Sequence, residues 1–368
     1  MAGRMRYRLP LDASLQRKFD ALGRELDLRV LGTAPPEGPT QNGVFRLVPP
    51  FRARPLDGAA FYAALPFRIA RELRRFKPAA VLTQSPYEAA AALLGRRLAR
   101  QPARVVVDVH GDWRTFTRLY GSPARRLLAP LADRLAVAGL RRADAVRVLS
   151  PYTRTLVTNA GIEPAAEFPA FMDLEPFLVP PGPLPKRPTA LFIGVLERYK
   201  NVDGLAEIWR RTAPRVPDAT LHLVGSGALQ HVVEDLVAVF PTQTTWSQRL
   251  RPEEVVEAMD ASTLLLLPSR SEGLPRVAVE ALLRGRPLVA SRAGGIPDIV
   301  VDGVNGVLLD PDDHEAFAET LVRLLSDRRE AERLAAGARR SGEPLVATPE
   351  EYAASVRELV DRVREHDE

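Results

Sequence analysis

"STLLLLPSRSEGLPRVAVEALLRGRPLVAS" (residues 262–291) holds a complete supersecondary unit. Four consecutive leucines stop at Pro268 and read as a strand buried on both faces, the signature of a parallel sheet. The polar loop ends in Gly273-Leu274-Pro275, and Pro275 suits the first turn of a helix running through "RVAVEALL". Gly285 closes that helix, and "RPLVAS" (286–291) begins the next strand. Glu272 then stands in the loop and Glu280 on the helix, a pair of carboxylates bracketing a helix mouth.

The same alternation extends in both directions. Strand-sized apolar runs are "DLRVLG" (27–32), "AAVLTQ" (79–84), "RVVVDV" (104–109) and "DAVRVLS" (144–150), then "TALFIGV" (189–195), "TLHLVG" (220–225) and "GVLLD" (306–310). Helical patterns such as "LQRKFDALGREL" (15–26), "VDGLAEIWRRTA" (202–213) and "EEVVEAMDA" (253–261) lie between them. Strands alternating with helices predict an α/β fold of doubly wound parallel sheets. The proline-rich stretch "LVPPGPLPKRPT" (178–189) interrupts the alternation and reads as a semi-rigid linker. The expected organisation is a Rossmann-like domain over 1–180, a linker at 181–188, and a second domain over 189–347. The two are expected to face each other across a cleft. The final helical segment (348–368) opens with a Thr cap and two glutamates and is expected to pack back on the first domain. One defect stands out: a doubly wound domain normally opens with an apolar strand, and "MAGRMRYR" offers almost none.

Composition narrows the chemistry. With no cysteine among 368 residues, disulfides, thiolate nucleophiles and cysteine-ligated zinc are excluded. The first 180 residues carry 28 basic and 16 acidic side chains, whereas the remainder carries 23 basic and 30 acidic. A basic first half fits an anionic partner, but no aromatic residues interleave with the arginines, so nucleic acid is not expected. No secretory leader or spanning segment is expected from the apolar runs, which are strand-sized. The expectation is a cytoplasmic protein whose basic half makes peripheral contact with the anionic inner face of the cell membrane.

Ligands of open α/β sheets bind beyond the carboxyl ends of strands. His110 follows "VVVDV", Gly194 follows "LFI" with Arg198 and Lys200 close behind, Gly225 and Gly227 follow "LHLV", and Glu272 follows "LLLLPS". The N–H groups of Gly273 and Leu274 at a helix mouth suit an anion. A carboxylate such as Glu280 can accept two hydroxyl hydrogen bonds, which suits the vicinal diol of a ribose or hexose. Phosphate between two polyols outlines a nucleotide sugar. "DPDD" (310–313) contains the Asp-x-Asp pattern of metal sites, but it follows an Asn-Gly turn and precedes a helix, so helix capping is expected. No metal-ligand constellation appears elsewhere.

The two glutamates with seven residues between them, and "ALLRGRPLVASRAGGIPDIV" after them, resemble the donor-binding signature of family 4 glycosyltransferases. The similarity continues through "GVLERYKNVDGL" (194–205), "LVGSG" (223–227), "GVNGVLLDPDD" (303–313) and "FPAFMDLEPF" (168–177). It spans roughly residues 100–367 and is strongest from 189 to 313. It implies the GT-B fold and transfer of a hexose from a nucleoside diphosphate sugar to a glycan or lipid-linked acceptor hydroxyl. Retention at the anomeric carbon and no metal or other cofactor are also implied. By the same resemblance Glu280 grips the ribose hydroxyls, while Glu272, Gly273, Leu274 and Pro275 face the donor sugar and its phosphate. Lys200 neutralises the diphosphate, Arg249 and Leu250 lie by the base, and His110 approaches the donor sugar. The family's basic residue after Gly194 is replaced by Val195, and Arg198 is the substitute for its charge. The glycine pair usual after the first strand is absent; "RYRLPLD" (6–12) stands there. The alternatives are a nucleotide-sugar epimerase of the same architecture, with Asp108 or Asp112 as acid/base groups, and a degenerate non-catalytic partner subunit.

Overall fold

A computed structural model describes the chain at residues 1–51, 57–115 and 123–365. Residues 366–368 of the expected C-terminal helix, and the side chains of 125–128 in the basic run 125–142, lie outside the described residues. The chain divides into two compact units: the first runs to Phe171 and takes in the chain again from Ala347, and the second runs from Met172 to Val346.

The first unit contains β1 (Ala2–Arg6), α1 (Ala13–Glu25), β2 (Val30–Thr33), β3 (Gln41–Asn42), β4 (Phe45–Val48), α2 (Asp57–Phe76), β5 (Ala80–Thr83), α3 (Pro86–Ala99) and β6 (Arg104–Val109). It continues with α4 (Pro123–Arg142), β7 (Ala145–Val148), α5 (Pro151–Thr158) and β8 (Ala166–Glu167). The sheet order is β3-β4-β2-β1-β5-β6-β7-β8, parallel except at the β3–β4 edge. The missing first strand is therefore present. It needs no apolar run because its buried positions are the small Ala2 and Gly3, and Ala2 pairs with both Leu31 and Thr83.

Both faces of this sheet are covered, which accounts for its near-continuous valines. Val105, Val107 and Val109 pack under α2, α3 and α4, through Leu65, Ile69, Ala92 and Leu140. Val106 faces the opposite layer with Phe19 and Leu22 of α1 and with Tyr352, Val356 and Leu359 of the C-terminal helix (Pro349–Glu365). That helix belongs to the first unit and packs along α1.

The second unit contains β9 (Thr189–Ile193), α6 (Val202–Thr212), β10 (Thr220–Val224), α7 (Gln230–Val239), β11 (Thr244–Ser247), α8 (Pro252–Asp260), β12 (Leu264–Leu267), α9 (Arg276–Leu283), β13 (Leu288–Ser291), β14 (Gly306–Leu309), α10 (His314–Ser326) and α11 (Arg328–Gly342). Its sheet, β11-β10-β9-β12-β13-β14, is parallel throughout. Leu264 and Leu266 face one core layer, Leu265 and Leu267 the other, so the leucine run is buried from both sides. Pro275 caps α9 from just outside it, one position earlier than its expected place in the first turn.

The proline-rich stretch is not a linker. The chain passes between units at 171–172, and residues 178–188 are bound into the second unit. Buried Arg284 donates to the carbonyl of Val179, and buried Arg286 reaches those of Gly182 and Pro183 at 3.4 Å. Arg328 donates to Leu184 and Pro185 at 3.0 and 2.9 Å. A stretch this rich in proline has few N–H groups to pair with carbonyls, and the arginines satisfy those of Val179, Gly182, Pro183, Leu184 and Pro185.

Candidate functional site

In the second sheet β9 lies between β10 and β12. The chain moves outward from β9 to β10 and β11, then returns to β12 on its other flank and continues to β13 and β14. This reversal opens a crevice at the carboxyl ends of β9 and β12, where doubly wound sheets bind ligands. Lys200 follows β9 and Glu272 follows β12, and at this switch point they meet: Lys200 Nζ lies 2.7 Å from Glu272 Oε1. Both side chains are about 10% exposed.

The loops around the pair are tied to one another. The N–H of Arg270 donates to the Tyr199 carbonyl at 2.7 Å, joining the loop after β12 to the loop after β9. Asn201, left-handed at φ 56° and buried, donates through Nδ2 to the carbonyls of Pro268 (3.1 Å) and Pro311 (2.9 Å). Arg270 donates to Asn201 Oδ1 and to Asp312 Oδ1, each at 2.5 Å. On the far side, Gly295 N–H donates to the Glu272 carbonyl at 3.0 Å, and a Cβ at Gly295 would stand 1.7 Å from the Gly273 carbonyl oxygen. Only glycine permits that approach. Gly225 likewise lets the loop after β10 close on Gly194, where a Cβ would fall 1.8 Å from the Gly194 oxygen. Among the described residues no protein acceptor takes the N–H of Gly273 or Leu274, which leaves two donors at the mouth of α9.

Glu280 sits in the second turn of α9, 6% exposed. Arg276 Nε donates to it at 2.6 Å while Arg276 Nη2 reaches the Asp173 carbonyl at 3.0 Å. Burial pushes the Glu280 pKa upward, opposed by Arg276. Arg198 opens the 3-10 turn that ends in Lys200 and is exposed, as is Val195 beside Gly194. Arg249 is exposed after β11, whereas Leu250 packs partly into the core beneath α9. The "DPDD" segment caps: Asp313 accepts from Ala316 N–H at 3.0 Å at the start of α10. Among the described residues, no group of three or more His, Asp or Glu is placed to hold a metal ion.

His110 belongs to the first unit, exposed at the carboxyl end of β6. Part of the residue reaches solvent, yet the protein around the ring desolvates it and lowers its pKa, with Asp108 opposing and Arg147 and Lys18 adding to the shift. Asp108 is buried and paired with Arg147 at 2.8 Å, and Asp112 is paired with Arg114 at 2.7 Å. Both acid/base candidates of the epimerase reading are thus already engaged.

Sequence reasoning did not single out Asn201, Arg270, Arg276 or the Gly294-Gly295 turn, and it read Asp312 only as part of a helix-capping segment. The glycine pair two residues beyond β13 was a readable signal. Arg270 carried none, since a loop arginine looks like any solvated side chain.

The Glycosyltransferase Family 4 profile matches residues 13–174, and the Glycosyl transferases group 1 profile matches 179–341. The chain belongs to glycosyltransferase family 4. It is 30% identical over 188 residues to the sulfoquinovosyl transferase SQD2 of Arabidopsis thaliana, covering 50% of this chain and 36% of that protein. It is 30% identical over 263 residues to a GDP-mannose-dependent α-(1-6)-phosphatidylinositol monomannoside mannosyltransferase of Mycolicibacterium smegmatis, covering 65% and 66%. The chain spans about a third to two-fifths of the length of the first curated relatives it matches. Among solved structures, the sucrose-phosphate synthase of Thermosynechococcus elongatus superposes with TM-score 0.76 at 20% identity, over 96% of this chain and 93% of that one. Anabaena HepE in complex with UDP-glucose superposes at 0.68 and 17% identity over the whole of both chains. The fold class of this family 4 member is GT-B, with two parallel-sheet α/β units.

Proposed function

We propose that this chain transfers a hexose from a nucleoside diphosphate sugar to the hydroxyl of a glycan or lipid-linked acceptor, with retention at the anomeric carbon. The observation that carries this is the meeting of Lys200 and Glu272 at the switch point, beside the unengaged amides of Gly273 and Leu274. Lys200, Arg198 and those amides oppose the charge that grows on the departing diphosphate. Preorganised donors of this kind are worth on the order of 10²–10³ in rate each. The reading therefore assigns charge stabilisation to side chains and backbone rather than to a metal ion. Glu280, in the helix behind them, accepts from the ribose hydroxyls, and Glu272 orients the sugar while holding Lys200 in place.

In this scheme the bond from the anomeric carbon to the phosphate oxygen breaks, and its electron pair leaves with the diphosphate. The acceptor oxygen forms the new bond on the same face, and the leaving phosphate oxygen takes the acceptor proton. HepE in its UDP-glucose complex and the GDP-mannose-dependent relative support a nucleotide-sugar donor, and the phosphatidylinositol mannoside relative supports a lipid-linked acceptor. Peripheral contact with an anionic membrane through the basic first unit belongs to the same proposal. None of the described helices is long and apolar enough to cross a membrane.

The test is nucleotide release from UDP-, GDP- and ADP-sugars with and without a panel of glycan and lipid acceptors. Release that needs acceptor supports the proposal. Sugar isomerisation without acceptor would turn the reading to an epimerase, and absence of nucleotide binding to a non-catalytic subunit.

A further inference from the structure

The layer α2–α3–α4 covers one face of the first sheet, α3 packing against both neighbours. Its outer surface repeats one pattern on each helix. On α2, Phe67, Arg71 and Arg74 are exposed; on α3, Leu94, Arg97 and Leu98; on α4, Leu131, Arg134 and Leu135. These spacings of three and four residues place each set along a single stripe of its helix. Five of the seven exposed leucine and phenylalanine side chains among the described residues lie on this face, with Phe67 and Leu131 each 66% exposed.

Charge on the face has one sign. Among the described residues, no acidic side chain of α2, α3 or α4 is exposed: Glu88 is buried, Asp57 is partly covered and paired with Arg4, Glu72 is partly covered between Arg29 and Arg71, and Asp133 of α4 is half-buried. Where α3 and α4 end, an open depression of about 830 Å³ is lined by arginines. Asp144 holds Arg96 and Arg104 at 2.6 and 3.3 Å, which leaves the charges of Arg97, Arg100 and Arg142 uncompensated by that carboxylate.

We propose that this face is a docking surface for an anionic phospholipid bilayer, its apolar side chains entering the headgroup region and its arginines meeting lipid phosphates. It rests on the membrane contact in the proposed function and names the residues that make it. Leu94 with Leu98 and Leu131 with Leu135 each form an i, i+4 apolar pair with an arginine beside it, so apolar and cationic side chains share one face. An interface of headgroups and upper acyl chains accepts both, because arginine can bury its stem and keep its guanidinium at the phosphates. Nucleic acid would call for aromatic platforms, and Phe67 is the one exposed aromatic residue of the three helices among the described residues.

The test is co-sedimentation of the full chain with vesicles of phosphatidylcholine alone and of phosphatidylcholine with phosphatidylglycerol, in low and high salt. Wild type is expected to bind the anionic vesicles only, and added salt to weaken binding. Each arginine removed should lower the partition constant roughly fivefold, so R97E/R134E should lose well over tenfold. Leu131→Ser with Leu135→Ser should lose binding by several-fold even in low salt. Equal binding to neutral vesicles, unchanged binding by both variants, or displacement of vesicle-bound protein by single-stranded DNA would overturn the proposal. Nucleotide-induced thermal stabilisation of the same proteins separates the two claims. If it survives while vesicle binding is absent, only the docking surface fails; if wild type shows none, the donor reading fails whatever the vesicles show.

Discussion

Replacing Lys200 by Met keeps most of the side-chain volume and removes the cation from a contact of 2.7 Å. The Glu272 carboxylate, about 10% exposed, then loses its ion-pair partner. Removing one partner of a fully buried pair costs about 3–5 kcal/mol. The residual exposure at the loops lowers that expectation to about 2–3 kcal/mol. Glu272→Gln strands the lysine and should cost a similar amount. The double variant leaves no unpaired charge, so it should recover about 2 kcal/mol relative to the sum of the single changes. Urea unfolding followed by tryptophan fluorescence reads this directly, because Trp209 and Trp246 both lie in the second unit. All three variants should also lose nucleotide-sugar binding, since the double variant restores folding without restoring the cation. Single effects that add to within about 0.5 kcal/mol would show that the two side chains do not depend on each other. Donor binding that survives in the double variant would remove Lys200 from the donor site.

Other substitutions probe the surrounding framework. Because burial raises the Glu280 pKa, the folded chain binds a proton there more readily than the unfolded chain. Its contribution to stability therefore falls as pH rises from the ordinary carboxylate range through the raised folded value. Glu280→Gln should flatten that part of the pH–stability curve and leave the protein no less stable at pH 8, while calorimetry shows weaker nucleotide binding. Asn201→Ala should cost about 2–4 kcal/mol in urea unfolding, from the left-handed backbone and two stranded carbonyls. Asn201→Gly, which relieves the backbone alone, should cost about 1 kcal/mol less. Gly295→Ala should displace the Gly273 loop, lowering donor affinity as well as stability, as paired titration and melting curves would show. His110→Ala, at an exposed position, should reduce turnover in a donor-release assay and leave the melting temperature unchanged.

The second sheet was legible because its strands are apolar on both faces: Leu264–Leu267 can only be a fully covered strand, and Gly273-Leu274-Pro275 can only follow it as a loop. The helix mouth was read from the residues themselves, whereas only the family resemblance set Lys200 and Glu272 at one site; the strand order that brings them together is seen in the structure alone. β1 was harder, since Ala2 and Gly3 occupy its buried positions and their small size leaves no hydrophobic run to see. The proline-rich stretch misled for the opposite reason. Its composition describes the backbone of 178–188 but not the arginines, a hundred residues later, that bind its carbonyls. The clamp of Asn201, Arg270 and Asp312 was invisible on similar grounds: it joins three loops far apart in sequence, and none of its members differs in type from an ordinary cap or surface charge.

The most direct test is the melting curve of the wild-type chain against a panel of UDP, GDP, ADP and their hexose conjugates, repeated with the Lys200→Met/Glu272→Gln double variant. At a concentration a hundredfold above its dissociation constant, a bound nucleotide adds about 2.7 kcal/mol, or roughly 5–10 °C for a unit of this size. One nucleotide series should raise the wild-type transition by that amount and leave the double variant where it was. A wild type indifferent to every member of the panel, or a variant that shifts as far as the wild type, would contradict a donor site built on Lys200 and Glu272.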